Sequence, residues 1–401
     1  MINSRKKGFT LVELVIVIAV VAILAAVLIP TFSSLVKKAN AANDTVVAKN
    51  MNTALAEYSA LNGKPENFEE VLTAIEEAGY VLANLNAKAG GNLYGWDEKN
   101  NQIVYLDQEG NVIYQNVEFV KNDVKFVVKS EVEKPSWAEN FDIVDMSKPE
   151  GPKALKGALE SGISVTLQND VKDVKDLTIP AGSNVTLDLG SYTYTTAQLN
   201  AGGERQKSDY IRVEKGATLT ITGNGGEFNG RGIMNNGGTL IIKSNVTINA
   251  IDYDGGGCIR NKPGGEVIVE GGTFNVNVNE DYNNSCDVPC VRNDGGKITI
   301  NGGTFYANGY AYTVSNGSGT MIINGGTFKG SRGVISSNDG KITINDGTFE
   351  QLSNLGSSHV LYTSGTGVIE ANKGTLIGYS MTSNTDGGTI TISNEVTKNQ
   401  K

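Results

Sequence analysis

The most apolar stretch of the chain lies near its start, where Leu14 to Ile29 form an unbroken run of sixteen apolar residues. Phe9 to Val12 and the segment through Phe32 extend it, interrupted only by Thr10, Glu13, Pro30 and Thr31. That length predicts a helix over 9–32 able to span a bilayer. Arg5, Lys6 and Lys7 precede it, which would hold the first residues in the cytoplasm and place the rest outside. No polar, small-residue region follows the run, as an ordinary secretory signal would require. Beyond it, Leu35, Ala39, Ala42, Val46, Met51, Leu55, Tyr58 and Leu61 recur at helical spacing, and Asn62-Gly63-Lys64-Pro65 ends the helix. A shorter amphipathic helix is predicted over Asn67 to Glu77. Strands are predicted at Leu93 to Trp96, Gln102 to Leu106, Val112 to Tyr114 and Val124 to Val128, the second and third joined by a hairpin turn. Tyr94, Trp96 and Tyr105 then read as the core of a small sheet. Pro135, Pro149 and Pro152 punctuate a connector.

From residue 151 the pattern changes. Ala154 to Glu160 predicts a short helix, and Ile163 to Leu167, Leu177 to Ile179 and Val185 to Leu189 predict short strands. An explicit repeat follows. Gly225-Gly226-Glu227-Phe228 is echoed at Gly271-Gly272-Thr273-Phe274, Gly302-Gly303-Thr304-Phe305, Gly325-Gly326-Thr327-Phe328, Asp346-Gly347-Thr348-Phe349 and Lys373-Gly374-Thr375-Leu376. A second echo precedes several of these, as in Gly296-Lys297-Ile298-Thr299-Ile300 and Gly340-Lys341-Ile342-Thr343-Ile344. One such unit cannot bury its own apolar side, whereas a stack can, so the period reads as a solenoid. The isoleucines fall two apart and face inward while threonine faces water. Phe274, Phe305, Phe328 and Phe349 are expected to stack, and the glycines to turn the chain between sheets. Asn235, Asn261, Asn293, Asn316 and Asn338 recur before the glycine turns, the pattern of a ladder that satisfies backbone groups at a bend. Propeller blades need longer units and leucine-rich repeats a different consensus.

Charge and special residues narrow the chemistry. A net charge of -9 argues against broad nucleic-acid binding. His359 is the single histidine, so one chain holds no multi-histidine metal site. Three cysteines are too few for a disulfide scaffold. Cys258-Ile259-Arg260-Asn261 and Cys290-Val291-Arg292-Asn293 occupy the same place in consecutive turns, about 4.8 Å apart in a parallel ladder. That separation permits a Cys258–Cys290 bond, with Cys286 as the other candidate partner and three free buried thiols as the third reading.

The first residues resemble the class III signal of type IV pilins and type II secretion pseudopilins: a basic leader ending in Gly8, then Phe9-Thr10-Leu11-Val12-Glu13 and a long apolar helix. The resemblance implies cleavage between Gly8 and Phe9 by a prepilin peptidase and methylation of Phe9. It also implies that Glu13 pairs with the N-terminal amine of a neighbouring subunit, and that Pro30 kinks the helix. Residues 33–134 more loosely resemble a pilin-like head, and 151–401 resemble pectin-lyase-like right-handed β-helices. The expected fold is therefore a leader over 1–8, a transmembrane and filament-core helix over 9–32, and an α/β head over 33–134. A connector over 135–150 and a single-stranded right-handed parallel β-helix over 151–401, an all-β solenoid, complete it. The implied function is a pilin-like or pseudopilin-like extracellular structural or adhesive subunit. It is expected to pass a single-pass membrane stage before reaching the cell surface in a filament or pseudopilus. Its expected partners are the peptidase, other pilin subunits, the membrane, and a carbohydrate or host surface. The candidate ligand surface is Asp252, Tyr253, Asp254, Tyr282, Arg260, Arg292, Tyr310 and Tyr312. The alternative is a membrane-tethered polysaccharide lyase or glycoside hydrolase. Lyase chemistry would want calcium held by acidic loop residues and an exposed Arg or Lys as base; no spacing in the chain forms a catalytic signature, and no cofactor is otherwise implied.

Overall fold

The computed structural model describes residues 11–80, 87–120, 123–128, 142–196, 198–199, 207–250, 257–276, 288–308, 311–354 and 359–401. They divide into two compact units, described separately.

The first unit is built on α1, Leu11–Asn62, which is 52 residues long. The expectation of a membrane-spanning helix over 9–32 is corrected here. Among the described residues no helix is long and apolar enough to cross a membrane. The apolar residues are the opening part of one continuous helix that runs on through Lys37, Lys38 and Asn40 into polar sequence, with no boundary at residue 32. The transmembrane assignment and the single-pass membrane stage fall with it.

Along the second half of α1 the buried face is narrower than the expected stripe. Asp44, Ala48, Met51, Asn52, Ala54 and Leu55 are buried, while Leu35, Val46 and Leu61 are exposed. Two of the buried residues are polar because they serve the sheet. Asn52 accepts from the Ile103 N–H at 2.7 Å and donates to the Ile103 carbonyl at 2.8 Å, completing the main-chain bonds of that strand residue. Asp44 accepts from the N–H groups of Lys88 and Ala89 and from the Tyr105 hydroxyl. The sheet contains β1 (Leu93–Asp97), β2 (Gln102–Leu106), β3 (Val112–Tyr114), β4 (Val124–Val128) and β5 (Asp142–Asp145), in the order β3-β2-β1-β4-β5. β1 pairs antiparallel with β2, and Tyr94, Trp96 and Tyr105 are buried, as expected of a sheet core.

The second unit is the right-handed parallel β-helix. Its ten-stranded sheet follows strict chain order from Val171–Val174 to Val396–Gln400. Apart from a two-stranded antiparallel pair of Gln198–Leu199 with Lys207–Ser208, the remaining described strands form a 17-stranded sheet, in which Val291–Ile300 and Tyr312–Ile323 each bend through what is two strands in other turns. Gly272, Gly303, Gly326 and Gly347 lead into successive strands with φ of 103°, 111°, 112° and 134°, values an L side chain strains to adopt. Inside, Phe274, Phe305, Phe328 and Phe349 stack with ring centroids 4.6, 4.7 and 5.0 Å apart. Tyr194 on Phe228 begins the column at 5.1 Å. The same position passes to Leu376 and then to Lys398 in the last turn. A charge at an inward position discourages another strand from adding to that edge.

The opposite end of the solenoid is capped by α3, Pro152–Glu160, through Ala154, Leu155, Ala158 and Leu159. Gly151 stands at the N-cap and offers no side chain to the first N–H groups of α3. Glu69 of α2 (Phe68–Glu77) supplies what is missing, accepting from the N–H groups of Lys153 at 3.2 Å and Ala154 at 3.1 Å. A Cβ on Gly151 would collide with the Glu69 carboxyl, so the glycine makes room for this cap in trans. Glu76 adds ion pairs to Lys153 and Lys156. The described residues 67–80 thus fall in the same compact unit as the β-helix.

Candidate functional site

One outward column of the 17-stranded sheet carries the least uniform chemistry of the described surface. Registry places Arg212, Met234, Arg260, Arg292, Ser315, Ser336, Tyr362 and Ser383 on successive strands. On one side of the column, Arg260 and Arg292 converge on Asp294, their Nε groups donating at 2.8 and 2.7 Å, and Lys262 donates at 3.0 Å. Burial alone would raise the Asp294 carboxyl. The hydrogen bonds from Arg292, Arg260 and Lys262 outweigh it and hold the group well below the ordinary carboxylate range. These cations outnumber the carboxylate, so the ridge keeps a local positive charge on an acidic chain.

Beside the ridge the column drops to two serines. Ser315 and Ser336 lie between the long side chains of Arg292 and Tyr362 and leave a cleft of about 180 Å³. Tyr312 and Arg332 also line it, and none of the described lining residues is acidic. The rings of Tyr312 and Tyr362 stack at 5.6 Å, and His359 continues the stack at 6.3 Å from Tyr362. Gly333, opposite Tyr312 in the ladder, is what lets that ring lie against the strand: a Cβ there would come within 2.2 Å of it. Arg292 Nε is committed to Asp294; among the described residues its Nη groups donate to nothing. The cleft therefore combines aromatic faces, hydroxyls and guanidinium donors, the groups that hold a sugar ring and its substituents.

Of the residues singled out in sequence, Arg260, Arg292 and Tyr312 are described, and Arg292 and Tyr312 meet at this cleft. Asp252, Tyr253, Asp254, Tyr282, Tyr310 and Cys286 lie outside the described residues, as do Gly8 and Phe9. Glu13 and Pro30 fall within α1, which continues through both; their side chains lie outside the description. Among the described residues no group of three His, Cys, Asp or Glu side chains could hold a metal ion. Cys258 and Cys290 are buried and unbridged in this structure. Each is within reach of main-chain carbonyls: Cys258 Sγ lies 3.4 Å from those of Ile248 and Asn275, and Cys290 Sγ 2.9 Å from that of Tyr306.

The asparagine ladder forms, with one correction. Asn235, Asn261, Asn293 and Asn316 are buried and pass hydrogen bonds upward: Asn235 Nδ2 to Asn261 Oδ1 at 2.9 Å, Asn261 to Asn293 at 3.1 Å and Asn293 to Asn316 at 2.9 Å. The next rung is Ser337, not Asn338, because Asn316 registers with Ser337. Two ladders escaped sequence reasoning. Asn301, Asn324, Asn345 and Asn372 are linked by side-chain amides at the exposed edge, and Asn229, Asn249 and Asn275 likewise. The recurrence of Asn directly after Ile-Thr-Ile-type strands was the available signal.

The family described as the prokaryotic N-terminal methylation motif matches residues 3–29. Over 66 residues, 16% of this chain and 40% of the relative, it is 44% identical to the type IV major pilin protein PilE1 of Neisseria gonorrhoeae. It is 36% identical over 91 residues to a fimbrial protein of Neisseria meningitidis, 22% of this chain and 54% of that one. It is 59% identical over 49 residues to the type IV wide pilus major component PilA4 of Thermus thermophilus, 12% of this chain and 35% of that one. The chain thus spans only about a third to a half of the length of these curated relatives. No solved structure matches it significantly. A pilin-like N-terminal segment with the methylation motif thus shares this chain with a parallel β-helix.

Proposed function

We propose that this chain is a filament subunit of the type IV pilin or pseudopilin kind that displays its β-helix to contact a surface or glycan. The observation that carries the reading is the apolar exposure of α1 together with the matched motif. Leu14, Val17, Ile18, Val21, Ile29 and Phe32 are all at least half exposed. An apolar helix surface of that extent is a packing surface, and copies of α1 bundled along a filament axis would bury it. In this reading a prepilin peptidase cuts between Gly8 and Phe9, Phe9 is methylated, and Glu13 pairs with the new amine of a neighbour. Each charge then offsets the burial cost of the other, and the pair fixes axial register. The β-helix contributes a rigid stack of turns, and the cleft at Ser315 and Ser336 is its contact site.

The test is incorporation. Cells carrying the wild-type chain should release it in the sheared filament fraction, whereas Glu13→Ala and Ile18→Asp should be processed normally and be largely missing from that fraction. Normal incorporation of both variants would refute the assembly model.

A further inference from the structure

We propose that the cleft between Arg292 and Tyr362 takes one six-membered sugar ring bearing an anionic group, presented as the end of a glycan and not as part of a chain laid along the rod. The inference deepens the glycan-contact reading above and rests on it.

Size sets the first limit. The cleft holds about 180 Å³, close to the ~150 Å³ cavity that accommodates a benzene ring. Its length is fixed by register. Arg292, Ser315, Ser336 and Tyr362 are on consecutive strands, so its two walls rise from backbone positions about 14 Å apart at ~4.8 Å per strand step. A polymer running along the column would have to climb over Arg292 at one end and Tyr362 at the other. A terminal ring fits between them.

Charge sets the second limit. Arg292 lines the cleft, and none of the described lining residues is acidic. The nearest acid along the Arg292 strand, Asp294, is already held by Arg260, Arg292 and Lys262. The pair Tyr312 and Tyr362 offers ring faces for the C–H face of a sugar. A neutral sugar would use those faces and the serine hydroxyls but leave the Arg292 Nη donors unmatched. A carboxylate or sulfate on the ring would engage them in a charge-assisted, bidentate geometry.

The experiment uses the purified full-length chain and four small probes: methyl glucuronide, glucose 6-sulfate, methyl glucoside and inorganic sulfate. Methyl glucuronide and methyl glucoside share a ring and differ in the group at C6. Binding is read by calorimetry and by saturation-transfer NMR. At least one anionic sugar should bind at least about tenfold more tightly than the glucoside, the factor for one charge-assisted hydrogen bond, and the two anionic sugars separate carboxylate from sulfate as the preferred group. Arg292→Met should abolish that preference while leaving weak sugar binding. Ser315→Tyr, which fills the cleft from the solvent side, should abolish binding of both sugars. Equal affinity for glucoside and both anionic sugars overturns the charge assignment and leaves glycan display standing. Sulfate binding as tightly as either anionic sugar overturns the assignment of a sugar ring. Undiminished binding by Ser315→Tyr overturns the site, and absence of binding to both anionic sugars overturns the inference outright.

Discussion

The buried asparagine column gives the sharpest energetic prediction. Asn293 is fully buried. Its Nδ2 donates to the Gly296 carbonyl at 3.0 Å and to Asn316 Oδ1 at 2.9 Å. Its Oδ1 accepts from the Gly296 N–H at 3.1 Å and from Asn261 Nδ2 at 3.1 Å. Nδ2 also reaches the Thr320 carbonyl at 3.4 Å, and replacing Asn293 with Leu, the apolar side chain nearest in branching, removes all five bonds. Asn261 keeps its bond to the Gly265 carbonyl. The Gly296 N–H and Asn316 Oδ1 lose the partners they have now, and each buried unsatisfied group costs about 1–3 kcal/mol. Burial of the leucine side chain returns about 1.5–3 kcal/mol. The expected net loss is about 2 kcal/mol, the difference between the midpoints of the two terms. Asn293→Ser should lose less, because Ser337 holds the equivalent rung two strands further up the column and its hydroxyl donates to the Gly340 carbonyl at 2.7 Å. Urea denaturation of the purified chain, followed in the β-sheet band of far-ultraviolet circular dichroism, measures both variants. An unchanged midpoint for Asn293→Leu, or a greater loss for serine than for leucine, would refute the claim that the ladder is held by these bonds.

Other outcomes follow from the same arguments. Mass spectrometry of the N-terminal peptide should find methylated Phe9 as the first residue, and Gly8→Leu should block cleavage; a chain cut after Ala25 or Ala26 would show a different signal. Glu69→Ala should cost about 1–2 kcal/mol through loss of the cap on α3, and Glu69→Gln less, since the amide oxygen still accepts a bond. Burial raises the Glu69 carboxyl above its ordinary value of 4.5, although the N–H groups of Ala154 and Lys153 pull it down. Its contribution is therefore full below that ordinary value and is lost as the pH rises through the raised one, so wild type should lose stability relative to Glu69→Gln between about pH 4.5 and neutrality. Both Cys258 and Cys290 are fully buried, and burial also pushes the Cys290 thiol up, so iodoacetamide should label neither until the chain unfolds, whereas a Cys258–Cys290 peptide in a non-reducing map would establish the disulfide.

Much of the β-helix is legible in the sequence because its contacts repeat. When equivalent residues of adjacent turns touch each other, a residue type that recurs once per turn must form a column. That is why the phenylalanine stack, the inward isoleucines and most of the asparagine rungs could be read from spacing alone. The reading slipped where the chain slipped: Ser337 displaces Asn338 because register, not distance from the glycine, decides which residue faces in. The cleft was half legible. Arg292 and Tyr312 were singled out as polar and aromatic surface residues, but the serines that make the hollow have no chemistry to draw attention. A notch is made by what is small beside what is large, which appears only when the strands are aligned.

The sequence by itself determined the N-terminal motif, the solenoid and the inward ladders, since each depends on residues close in sequence or at a fixed period. Only the tertiary structure decided the rest. It overturned the expected membrane span, since among the described residues no helix is long and apolar enough to cross a membrane, while the continuous helix to Asn62 was already readable from its spacing. It gave α2 to the β-helix, where Glu69 caps a helix whose N-terminus lies 83 residues further along the chain. It holds Cys258 and Cys290 buried and unbridged. These outcomes turn on contacts between segments with no common period. Such contacts follow from shape and from the competition for backbone donors and acceptors, neither of which is written in a local pattern.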